Sequence, residues 1–185
     1  MRLVETCCRK QFKQMKRLYL QAFPPVERRP FYVIRKKTRE GCMEMLSIED
    51  EQGCFMGMAV MILYKDMALL DYFAISPEYR GKGIGTEVLQ ELKQRFEQKR
   101  FFLEIEDPEE KCDNTIERRR RQAFYEKNGM TVLPDFMVNL FGTNMRILTD
   151  GCTLAFQEYQ DMYTNTFGEK VRSRVIYQAI PQAIE

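Results

Sequence analysis

The chain has 185 residues, of which 44% are hydrophobic and 30% charged, and its net charge is +2. That is enough for one domain with a sizeable core, and too little net charge to select nucleic acid or a membrane as partner through bulk electrostatics. There is no histidine, so every Ser-His-Asp or Cys-His nucleophilic mechanism is excluded and acid–base work falls to Asp, Glu, Tyr, Lys or Cys.

The first elements follow from spacing. Residues 2–5 fit a short strand. Thr6 fits an N-cap, and Phe12, Met15, Tyr19 and Phe23 then recur at helical intervals until Pro24-Pro25 stops the helix. Residues 23–30 are rich in proline and charge and read as a surface loop, with Glu27 in it as a specificity element or a plain linker residue. A second helix spans Phe31 to Arg39 and ends near Gly41. Two strands, Met43–Ile48 and Cys54–Tyr64, flank a turn at residues 49–53, and Lys65-Asp66 leads into a third, Met67–Ile75.

A Pro turn, Ser76-Pro77-Glu78, closes that strand. The loop after it carries Gly81, Gly83 and Gly85 beside Arg80 and Lys82, and opens into a helix whose apolar Ile84, Val88, Leu89, Leu92 and Phe96 share one face. Strand, glycine loop and helix together make a phosphate cradle. Glycines let backbone N–H groups approach a ligand, and a helix start offers unpaired donors and a partial positive charge. The dinucleotide fingerprint fails because its third glycine position is Thr86. The kinase-type P-loop fails because Lys82 is followed by Gly83.

Further on, Phe101–Ile105 is a strand and Glu106 to Lys111 an acidic turn. Residues 115–128 are a helix with Gly129 at its C′ position. Thr131–Leu133, Phe136–Phe141 and Met145–Leu148 are short strands, and a helix runs from about Thr153 to Tyr163. Val175-Ile176-Tyr177, in the tail of residues 171–185, fits a strand or a docking segment without a place in the order. The six cysteines, at 7, 8, 42, 54, 112 and 152, contain no C-x-x-C pair, so free buried thiols are expected rather than zinc. No apolar run is long enough to span a membrane and MRLVETCCRK lacks a signal-peptide core, so the expected location is the cytoplasm.

The run Arg80-x-x-Gly83-x-Gly85, with Ala74-Ile75-Ser76-Pro77-Glu78-Tyr79 before it, resembles the acetyl-CoA pyrophosphate loop of the GNAT N-acetyltransferases. Phe124-Tyr125-Glu126-Lys127-Asn128-Gly129-Met130 resembles the family's Tyr-x-x-x-Gly-Phe. The two motifs stand in the family's order, and the resemblance covers about residues 2–140. It departs in three places: Arg118 and Arg121 stand where Asn and Ala are common, and Met130 replaces Phe.

The resemblance implies an α/β fold with a mixed, twisted sheet, antiparallel at its start and splayed between the central strand and the next, and with helices on both faces. Residues 1–150 would form the acetyltransferase domain, with a C-terminal helix and tail, 151–185, packed on it. The implied activity is direct transfer of acetyl from acetyl-CoA to a primary amine on a small molecule or peptide. A CoA- or peptide-binding module without catalysis is the alternative. A homodimer is compatible with either, and neither needs nucleic acid or a membrane.

In that reading Arg80, Gly81, Lys82, Gly83, Ile84, Gly85 and Thr86 hold the pyrophosphate. The backbone of Phe73 and Ile75 pairs with the pantetheine arm, and Tyr125 protonates the leaving thiolate. Asp71 and Glu104 are candidates for the base. With Glu106 they are also expected to hold a cationic acceptor. The run Arg118 to Arg121 reads first as a solvated helix face paired to residues 106–110. A contact with a CoA phosphate and nucleic-acid binding are the other readings.

Overall fold

The computed structural model describes residues 1–110 and 112–180; Lys111 of the acidic turn and residues 181–185 of the tail lie outside the described residues. The chain divides into two compact units, Met1–Glu97 and a second from Gln98 onward.

The first unit begins with β1 (Arg2–Glu5), α1 (Arg9–Ala22), a 3-10 turn at Pro25–Glu27 and α2 (Phe31–Arg39). It continues with β2 (Met43–Glu49), β3 (Phe55–Tyr64), β4 (Met67–Ile75), a second 3-10 turn at Pro77–Tyr79 and α3 (Ile84–Arg95). The strands pair in chain order, each antiparallel to the next. Short connections between successive apolar strands make that the economical arrangement. The sheet is apolar through its middle, where Leu46, Ile48, Met58, Val60, Met61 and Leu69 are buried. Each such side chain contributes about 1.5–3 kcal/mol relative to exposure. α1 packs on β3 and β4 through Met15, Leu18 and Tyr19, and α2 packs on β2 through Ile34.

Thr6 does not cap α1. It still belongs to the strand end, where its N–H donates to the Met45 carbonyl (2.9 Å) and its hydroxyl meets the Met15 sulfur (2.8 Å). The helix starts after Cys8, and the Gln11 side chain accepts the N–H groups of Cys7 and Cys8 at 3.1 and 3.3 Å. At Gly57 on β3 a Cβ would lie 2.6 Å from the Ala74 carbonyl oxygen, so only glycine lets the strands approach there.

The second unit runs β5 (Arg100–Glu106), α4 (Thr115–Lys127), β6 (Thr131–Val132), β7 (Met137–Leu140), β8 (Thr143–Thr149), α5 (Phe156–Phe167), α6 (Glu169–Arg172) and β9 (Val175–Gln178). Its strands lie in the order β5-β8-β7-β9, all antiparallel, and β6 also pairs β8. β7 and β8 form a hairpin that closes on Phe141 and Gly142, both at positive φ (53° and 95°). The tail finds its place here, since Val175 and Tyr177 of β9 oppose Leu140 and Val138 of β7.

All six cysteines are free, but none is buried: Cys7, Cys8 and Cys54 are exposed and the other three half-buried. Each sits in a turn or at the end of an element, outside the apolar stripes that fill the core.

Candidate active site

The glycine loop is built as the sequence suggests. After β4, Tyr79 N–H donates to Ser76 O and Arg80 N–H to Pro77 O, which turns the chain away from the strand. Gly81 and Gly83 have φ of 74° and 81°, a region that costs an L-residue about 1–2 kcal/mol. A Cβ at either would meet nothing within 4 Å, so the backbone faces open space. Gly83 caps α3, and its carbonyl accepts from Thr86 N–H (2.9 Å) and Glu87 N–H (3.2 Å). Among the described residues the backbone N–H groups of 81–85 meet no acceptor. Five successive donors at a helix start, with no Cβ above the two glycines, form an anion cradle. Thr86, expected to share in it, has its N–H committed to Gly83.

The flanking cations are partly engaged. Arg80 Nε donates to the Ile75 carbonyl at 2.9 Å, and Lys82 Nζ lies 5.5 Å from the centre of the Tyr79 ring. Both are exposed contacts that a phosphate can replace.

Asp71 sits at an irregularity. Tyr72 opposes Val60 and Leu70 opposes Met61, so Asp71 is an extra residue on β4 that β3 skips. Its carboxylate is buried and paired with Arg29, whose Nη1 donates to both oxygens at 2.7 Å. Burial outweighs Arg29 and raises the Asp71 pKa. Arg29 belongs to the loop 23–30, which is tied down further by Tyr72 and Tyr19. Tyr72 Oη donates to Glu27 O (2.8 Å) and accepts from Arg29 N–H (3.2 Å), and Tyr19 Oη donates to Arg29 O (2.9 Å). Sequence reading missed Arg29 and Tyr72, because no local pattern signals a pairing 42 residues apart.

In the second unit Tyr125 is buried on α4, edge-on to Phe124 at 5.1 Å. Its hydroxyl has no hydrogen-bond partner among the described residues. Burial pushes its pKa up to about 12, against a lowering by Arg121. Glu104 on β5 accepts hydrogen bonds from the hydroxyls of Tyr159 and Tyr163 on α5, the latter at 3.0 Å to each oxygen. Glu106 is buried between Arg118 (2.7 Å) and Arg121 (3.0 Å). An ammonium held by Asp71, Glu104 or Glu106 would therefore share the carboxylate with a partner already in place.

The arginine run is paired to the acidic turn, as expected for its first reading, but it is not a uniformly solvated face. Arg118 is buried and reaches Glu106, Glu110 and the Asp107 carbonyl, and among the described residues its Nε finds no partner. Arg119, exposed, lies 3.6 Å from Glu109.

A protein from Bacteroides thetaiotaomicron, described as an acetyltransferase of the GNAT family, superposes with a TM-score of 0.77 at 23% identity, over 91% of this chain and 99% of that one. A spermidine N-acetyltransferase from Vibrio cholerae, solved with CoA and spermine, gives 0.61 at 15% identity over 80% and 93%. An aminoglycoside 6′-N-acetyltransferase complexed with coenzyme A gives 0.64 at 15% identity over 84% and 100%. No curated protein matches by sequence. The α/β fold is the one these structures share. Residues 12–130, well over half of the chain and including both the glycine loop and Tyr125, match the acetyltransferase (GNAT) family, and on that match the chain belongs to it.

Proposed function

We propose that the protein acetylates a primary amine by direct transfer from acetyl-CoA. The observation that carries this reading is the row of five N–H groups at residues 81–85 that meet no acceptor among the described residues, a donor set suited to a CoA pyrophosphate. Arg80 and Lys82 would add charge to it, and the pantetheine arm would lie along Phe73 and Ile75 like an added strand. Pairing at the Ile75 carbonyl displaces the Arg80 side chain, which is then free to meet a phosphate.

The chemistry has few steps. The acceptor ammonium first loses a proton to a carboxylate, for which Asp71 and Glu104 are the candidates. The amine nitrogen then bonds to the thioester carbon, and the C–S bond breaks. The departing thiolate accepts a hydrogen bond from Tyr125 and takes the proton that the nitrogen releases as the amide forms. A phenol held near pKa 12 stays protonated at neutral pH, so it is always available as donor. At that pKa it is a weak acid, and its larger contribution is the hydrogen bond to developing charge on sulfur. Positioning amine and thioester together supplies most of the remaining rate.

The test is calorimetric titration with acetyl-CoA beside thioester consumption over a panel of amines. Binding with turnover is expected. In Gly83→Val the folded protein should lose acetyl-CoA affinity, because the side chain enters the space above the donors. Unchanged affinity in that variant overturns the loop assignment. Binding without turnover of any amine identifies a CoA-binding module instead.

A further inference from the structure

Residues 9–39 carry eleven Lys and Arg and a single carboxylate, Glu27, in a chain whose net charge is only +2. The structure gathers much of this charge round one open groove of about 630 Å³ between α1 and α2. Six cations line it: Arg9, Lys13, Lys16, Arg28, Arg29 and Arg35. Arg29 is committed to Asp71, and Arg28 Nη1 donates to Leu20 O at 3.3 Å. Arg9, Lys13 and Lys16 are exposed and have no carboxylate partner among the described residues. This is an unneutralised field in a concavity, where like charges repel one another until an anion enters.

The spacing selects the shape of that anion. Arg9, Lys13 and Lys16 sit on one face of α1 and succeed each other by about one turn, ~5 Å. An extended peptide places every second side chain on one side, roughly 6.7 Å apart, so its carboxylates can follow such a row. The row ends at Arg28 and Arg29, and Arg29 is the residue that touches Asp71 on β4. A single-stranded nucleic acid would instead need stacking platforms. The Phe12 ring is already covered by the Arg35 guanidinium at 4.4 Å, Tyr19 is buried and Phe31 is half-buried against it at 5.6 Å, which leaves Tyr32 as the groove's one widely exposed ring among the described residues.

We infer that the groove between α1 and α2 binds an acidic peptide segment and that the acceptor amine is carried on it. The site takes carboxylates on Arg9, Lys13 and Lys16 and leads the chain toward Arg29 and Asp71. The acceptor half of this inference rests on the acetyltransferase reading above; the binding half does not.

The experiment measures fluorescence anisotropy of a short labelled Glu-rich peptide with a free amino terminus. A Lys-rich peptide, a single-stranded RNA oligonucleotide and phosphatidylserine vesicles serve as the other arms. The acidic peptide is expected to bind best, more weakly as salt rises. Lys13→Glu with Lys16→Glu should lose roughly tenfold or more in affinity, since attraction becomes repulsion at two positions. Both side chains are exposed, so circular dichroism and acetyl-CoA affinity should not change. Adding acetyl-CoA should acetylate the peptide's amino terminus, with the loss in the double variant appearing in KM rather than kcat.

Preference for RNA or for vesicles, equal binding of acidic and basic peptides, or an unaffected double variant overturns the groove assignment. Peptide binding without acetylation, in a protein that acetylates other amines, overturns the acceptor assignment. Failure of the acetyltransferase reading is distinguishable, since it shows as loss of all turnover while peptide binding persists.

Discussion

A buried phenol without a hydrogen-bond partner among the described residues and a buried guanidinium with several partners lie on the same helix, and substitution at each should read out differently. Tyr125→Phe keeps the ring against Phe124 and removes a hydroxyl that bonds to nothing among the described residues. Its stability should match the wild type in urea denaturation, while kcat falls by about 10²–10³. A variant with near-normal turnover would mean that the ring only packs. Arg118 is the opposite case. Its side chain and that of Glu106 are 9% and 7% exposed, so removing the cation leaves a buried carboxylate that, among the described residues, only Arg121 still reaches. Arg118→Met should cost about 3 kcal/mol of stability, with acetyl-CoA affinity intact if the run plays no part in holding CoA. Loss of that affinity in the folded variant would assign Arg118 to a phosphate after all.

At the scale of elements, the loop 23–30 is held by tyrosine hydroxyls rather than by packing alone. Tyr72→Phe removes the bonds to Glu27 O and Arg29 N–H. Leaving two loop backbone groups without that partner should cost about 1–3 kcal/mol and speed amide exchange over residues 27–30. Unchanged exchange there would mean that the Arg29–Asp71 pair and Tyr19 suffice. None of these ties could be read locally. α2, β4 and the start of α3 were legible because an apolar pattern runs up to a proline, a glycine or a charged turn at each end, and the glycine loop was legible because its donors are consecutive in sequence. The β7–β8 hairpin was not, since its turn places Phe141 at positive φ and phenylalanine is no turn signal. The tail strand β9 was unreadable for a related reason: four residues become a strand only through the partner they find on β7. The bulge at Asp71 needs the register of β3 to exist. Eleven cations over residues 9–39 were in plain view in the sequence, but that they share a groove with aromatic rings depends on how α1 and α2 lie.

For the whole molecule, the aromatic content that fills the core also sets its response to alkali. Tyr19, Tyr72, Tyr125 and Tyr159 all have pKa values raised above the ordinary phenol range, and in each case burial is the largest cause. The sign follows from linkage. A raised folded-state pKa means that the native state holds its proton more tightly, so the stabilisation is fully present below the unfolded pKa of about 10 and is lost as pH rises through the folded value. Each such phenol removes up to about 1.4 kcal/mol per pH unit in that window. With these phenols acting together, the native state should lose stability as pH climbs beyond about 10 and should unfold cooperatively in alkali. The melting temperature is expected to be flat from neutrality to about pH 9.5 and to fall steeply beyond it. Absorbance at the tyrosinate band should show two classes among the nine tyrosines, an early one and one that ionises only with loss of circular dichroism. A single smooth titration of all of them with the fold intact would show that these rings are reached by hydroxide in the native state, and would remove the basis for a protonated, shielded Tyr125 at the site.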